Sequence, residues 1–101
     1  MTTLGKEFQN TIKNLEKLRD SQNHPSNELL SKLDIMYGQQ IDLIDASIKK
    51  DTQEYKEATE AMKEAAKKSK EAVDGLAKLD KILGKIANAT VKVTKLLSKV
   101  A

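Results

Sequence analysis

The chain contains no cysteine and no tryptophan. Without thiols there are no disulfides and no thiolate zinc sites. Proline occurs once, at Pro25, and the glycines are Gly5, Gly38, Gly75 and Gly84, too few to punctuate a series of β-hairpins. The aromatics are Phe8, Tyr37 and Tyr55, and there is a single histidine, His24. A histidine-based metal or acid–base centre therefore has no second member. No stretch approaches the roughly 20 apolar residues that span a bilayer. The opening MTTLGKEFQN lacks the apolar core of a signal peptide. These absences predict a soluble, cytoplasmic chain, with export by a route that needs no leader left open. No glycine-rich phosphate loop is present, and no nucleophile has a credible base partner. The sequence therefore predicts no catalytic residue, no cofactor, no metal and no small-molecule substrate.

What is present is a helical palette. A third of the 101 residues are charged, and Ala, Lys, Leu, Glu and Ile dominate. Charge is unevenly placed. Residues 1–50 hold seven basic and seven acidic side chains, residues 51–75 hold five and seven, and residues 76–101 hold six lysines against Asp80 alone. The basic character belongs to the C-terminal segment.

Apolar periodicity predicts one all-α unit over residues 1–101, with three helices at about 3–22, 27–73 and 76–100. In the first, Leu4, Phe8, Ile12, Leu15 and Leu18 form one stripe. It stops in the turn Ser21–Ser26, where Pro25 disfavours helical geometry at His24. Ser26 or Asn27 can cap the next helix. That helix carries the series Leu30, Leu33, Tyr37, Ile41, Ile44, Ile48, continuing through Asp51, Tyr55, Ala58, Met62, Ala65, Ser69 and Ala72. Unbroken over 27–73, it would be about 70 Å long. The alternative is a break near 50–52, where Asp51 and Glu54 have capping-box spacing, giving a four-helix bundle. A turn is expected at Asp74–Gly75, with Asp74 able to cap the next helix. Helices 1 and 3 would then fold back along the two halves of helix 2 as an elongated antiparallel hairpin.

The C-terminal helix is the most amphipathic element. In heptads starting at Leu76, positions a are Leu76, Leu83, Thr90 and Leu97; d are Leu79, Ile86, Val93 and Val100; g are Ile82, Ala89 and Leu96. Lys78, Lys81, Lys85, Lys92, Lys95 and Lys99 all fall opposite. This face is broader than a two-helix seam needs, and the facing half of helix 2 is lined mostly by alanine, which buries little area. The sequence thus predicts a non-catalytic module that self-associates, as a dimer with a coiled-coil or four-helix-bundle interface, or binds a helical partner. Its interface would be Leu79, Ile82, Leu83, Ile86, Val93, Leu96 and Leu97. The alternative is a membrane-surface protein whose lysines meet lipid phosphates. Nucleic acid is not expected as a partner, because no arginine or aromatic interleaves the lysines.

Remaining candidates have bland readings. His24 reads as an exposed turn residue, and Asp34, Asp42 and Asp45 as a solvated face that could also meet lysines of a second copy. Tyr37 and Tyr55 read as core. Gly38 either admits a close approach of helix 1 or merely weakens its helix. Asp51 sits within the apolar series, where it either fixes register or marks a partly exposed stretch. Ser69 and Thr90 are read as places where the stripe is partly exposed.

Overall fold

A computed structural model describes residues 3–45 and 52–100, with the backbone alone of residues 44, 45 and 100. It contains α1 (Leu4–Asp20), α2 (Asn27–Asp45), α3 (Gln53–Val73) and α4 (Leu79–Val100). α1 begins at Thr3, whose Oγ1 accepts the Lys6 N–H at 3.2 Å. α2 begins beyond Ser26, whose Oγ accepts the Leu29 N–H at 3.2 Å, the cap foreseen from the sequence.

The expected single helix over 27–73 is two helices, so the four-helix alternative is the observed one. α2 is described as far as Asp45, and α3 starts afresh at Gln53 with Thr52 as its cap, its Oγ1 accepting the Tyr55 N–H at 3.3 Å. Ile48 and Asp51 lie outside the described residues. The reason for the break is tertiary. A continuous helix would set the two hairpins end to end and leave one side of each seam in water. Folding it in two stacks the hairpins and covers both seams. Asp74 ends α3 rather than starting α4, and Leu76–Lys78 belong to the turn. There Gly75 takes φ +79°, the Gly75 N–H donates to Ala72 O and the Leu76 N–H to Glu71 O, a glycine-centred helix stop.

Order along the chain and order in space differ. α1 and α3 lie side by side and run parallel, because the bonded pairs Leu4–Tyr55, Thr11–Met62 and Asn14–Ala66 advance together. α1–α2 and α3–α4 are antiparallel hairpins, and α2 lies beside α4. α1 and α4, and likewise α2 and α3, occupy the diagonals. The bundle measures 40 × 23 × 18 Å, so the elongated outline is corrected to a short one.

The core is built from one stripe per helix. α1 contributes Leu4, Phe8, Ile12, Leu15 and Leu18, as its periodicity predicts. α3 contributes Ala58, Met62, Ala65 and Ala66. These small side chains let α3 lie close against both α1 and α4, whereas α2, with larger inward side chains, stands further from the same two helices. The alanine row is therefore no weak partner: the large residues of α1 and α4 bury themselves on it. α2 turns a different side inward than expected. Leu29, Leu33 and Met36 are buried, whereas Leu30 and Ile41 of the expected stripe are exposed. The two apolar arcs differ by about one residue of helical rotation. The arc that bisects α1 and α4 is the one buried.

Candidate functional site

The residues expected to form an intermolecular interface are used within the chain. Ile82, Leu83, Ile86, Val93 and Leu96 are buried, and Leu79 and Leu97 are half-buried against the same core. Each fully buried side chain of this size is worth about 1.5–3 kcal/mol to the fold, so none is idle surface. The premise that α4 has more apolar area than its own chain can cover is corrected: α2 and α3 together cover it.

Polar side chains join the hairpins. On the α1–α3 seam, Asn14 Nδ2 donates to Ala66 O at 3.2 Å and to Ser69 Oγ at 3.1 Å. At the foot of this seam the Leu4 N–H donates to Tyr55 Oη at 3.3 Å. On the α2–α4 seam, Gln39 Nε2 donates to Thr90 O at 3.0 Å and to Thr94 Oγ1 at 2.8 Å. Ser69 and Thr90 are thus buried and bonded, not partly exposed as their polarity suggested. Asn14 and Gln39 escaped sequence reasoning, because an amide beside an apolar stripe carries no local mark of what it meets. Gln39 Oε1 is buried with no hydrogen-bond partner among the described residues.

Between α1 and α2, Tyr37 Oη donates to Glu16 Oε2 at 2.6 Å. The bond to Glu16, then partial burial, raises the Tyr37 pKa above its ordinary value, with Arg19 opposing. His24 is exposed in its turn, as expected, and Asp34 and Asp42 are exposed on α2. Gly38 is exposed too, and a Cβ built there meets nothing within 4 Å, so it admits no close approach of α1. Among the described residues, no three His, Cys, Asp or Glu side chains converge as a metal site. No described helix is long and apolar enough to cross a membrane.

Two surfaces stand out from the rest. The outer side of α2 exposes Leu30, Ile35 and Ile41. Helical spacing puts Leu30 and Ile41 along the edge toward α1 and Ile35 on the edge toward α4, with Asp34, Gly38 and Asp42 between. Ile35 lies one turn before Gln39, and exposed Val91 lies beside Thr90, so both flank the α2–α4 seam.

The second surface is the α3–α4 turn. An open cleft of about 610 Å³ is lined there by Lys68, Lys78, Lys81 and Lys85, with Glu71 and Leu76. Three of the six lysines singled out in the sequence therefore meet here, joined by Lys68 of α3. Lys92, Lys95 and Lys99 continue along α4, away from the cleft. Lys85 Nζ lies 4.0 Å from Glu64 Oε1, and Lys68 Nζ lies 3.5 Å from Glu71 Oε2. Searches of family models, curated proteins and solved structures found no match to the chain.

Proposed function

We propose that the protein is a non-catalytic helical interaction module that docks through the outer side of α2, with a second copy of the chain as its partner. The observation that carries this reading is three large apolar side chains, Leu30, Ile35 and Ile41, left exposed on α2. Leu30 and Ile41 share one edge of this 19-residue helix and Ile35 holds the other, so the apolar side chains frame its outer side. The strip between these edges is acidic: Asp34 and Asp42 are exposed there, Glu28 is exposed at the start of α2, and Lys32 is the only lysine on α2.

A partly complementary surface exists on the same molecule. Lys6, Lys13 and Lys17 of α1 and Lys56, Lys63 and Lys67 of α3 are exposed, with Glu60 in the same row and Lys70 paired with Asp74. Contact between these unlike faces is heterologous and need not stop at two copies. The α4 face is not needed for it, and one chain already completes a four-helix bundle.

Sedimentation over a range of concentrations tests the reading. The wild type should form dimers or larger species at low salt and lose them partly at high salt. Ile35→Asp with Ile41→Asp should sediment as a monomer and stay folded, since Ile41 is mostly exposed and Ile35 is 42% exposed. A wild type that stays monomeric throughout, or a double variant that associates as before, would refute it.

A further inference from the structure

The α3–α4 turn holds an apolar side chain out into solvent. In a helix stop of this type, the residue after the glycine usually rests on an apolar side chain at the far end of its own hydrogen bond, or on the residue before that. The Leu76 N–H bonds to Glu71 O at 2.7 Å, so those positions are Glu71 and Lys70. Neither offers an apolar seat, and Leu76 is 77% exposed. Its backbone is held in place while its side chain has nothing to cover.

Lysines surround it. Of the four that line the cleft, Lys78 and Lys81 have no ion-pair partner among the described residues, and Lys68 and Lys85 reach Glu71 and Glu64 only at 3.5 and 4.0 Å. Glu71 is the one carboxylate in the lining. A leucine in water and a ring of mutually repelling ammonium groups are both relieved by one kind of surface, anionic outside and apolar beneath. Because α1 runs parallel to α3, the turn at residues 21–26 lies at this same end of the bundle. It brings no carboxylate between Asp20 and Glu28; at the α3–α4 turn itself the exposed carboxylates are Asp74, held by Lys70 at 3.0 Å, and Asp80.

The geometry points to docking of this end of the bundle on an anionic phospholipid surface, with Leu76 entering the acyl boundary and Lys68, Lys78, Lys81 and Lys85 contacting lipid phosphates. The helices stay closed, and the buried face of α4 takes no part. A nucleic-acid backbone would satisfy the lysines but gives Leu76 no apolar layer, and no aromatic side chain stands near for base stacking.

Flotation of the full chain with vesicles tests this, using phosphatidylcholine alone and phosphatidylcholine mixed equally with phosphatidylglycerol. At low salt the protein should float only with the anionic vesicles and be released as salt rises. Leu76→Asp should weaken binding at least about tenfold. Lys78→Gln and Lys81→Gln should each weaken it roughly fivefold. All three positions are exposed, and circular dichroism should show the variants folded. Because the chain has no tryptophan, Leu76→Trp supplies a single reporter, whose emission should shift to the blue on anionic vesicles alone. No flotation at low salt, or Leu76→Asp binding as wild type, overturns the proposal. So does binding to duplex DNA that the lysine variants lose and Leu76→Asp keeps.

Discussion

Tyr37 illustrates how a single side chain ties two helices and makes stability depend on pH. Its hydroxyl donates to Glu16 across the α1–α2 seam, and that bond favours the protonated phenol. The folded chain therefore keeps this proton at a pH where the unfolded chain has lost it. The resulting stabilisation is complete below the ordinary phenol value near 10 and declines as pH rises through the higher folded value. Tyr37→Phe should cost about 1 kcal/mol at neutral pH. Its deficit relative to wild type should shrink above pH 10, as read from thermal midpoints across the alkaline range. A deficit that does not change with pH would show that the bond is not what Tyr37 contributes. Other polar residues were harder to read. Tyr37 and Tyr55, which read as core from their place on a stripe, are half-buried and pack against the core's edge, where their hydroxyls find partners. Ser69 and Thr90 were misjudged because a small hydroxyl satisfies itself on its own helix. Ser69 Oγ donates to Ala66 O and Thr90 Oγ1 to Ala87 O, so burial carries no penalty.

At the scale of the element, helix ends were more legible than helix faces. Ser26 as a cap and the stop at Gly75 follow from chemistry within four residues of each position. Gly75 offers a direct test. A Cβ there would touch nothing within 4 Å, so Gly75→Ala meets no steric obstacle. The φ of +79° alone opposes it and should cost about 1–2 kcal/mol, measured by denaturant unfolding. A neutral substitution would mean that the turn relaxes, which would also remove the rigid presentation of Leu76. The face of α2 could not be read the same way. Leu29, Leu30, Leu33, Ile35, Met36, Tyr37, Ile41 and Leu43 surround most of the helix, so two phases are almost equally apolar. The choice between them is made by where α1 and α4 stand.

For the molecule as a whole, the bundle accounts for the α4 face without a second chain. Leu83 is 5% exposed and faces the shared core. Leu83→Asp places a carboxylate there without a partner and should unfold the chain outright, a loss of several kcal/mol against a total of about 5–15 for a domain of this size. Circular dichroism would read this at low concentration, where any assembly has dissociated. A folded Leu83→Asp monomer would mean that α4 is not packed as described. The surfaces left over, the outer side of α2 and the tip of the α3–α4 turn, are where function is proposed, and neither was visible in the sequence. Leu30 and Ile41 looked like core, and Leu76 looked like the first residue of a buried heptad face.

The sequence by itself determined that the chain is helical, where α1 stops, that a turn at Asp74–Gly75 follows α3, and which side of α4 is apolar. These depend on periodicity, caps and glycine conformation, which act over one or two turns. Only the tertiary structure decided that residues 27–73 divide, that α1 pairs with α3 in parallel, which arc of α2 faces inward and what covers α4. Those outcomes rest on contacts between residues about 50 positions apart, such as Asn14 with Ser69 and Gln39 with Thr90. No local pattern distinguishes a long exposed helix from the same residues folded back to shield their own apolar faces.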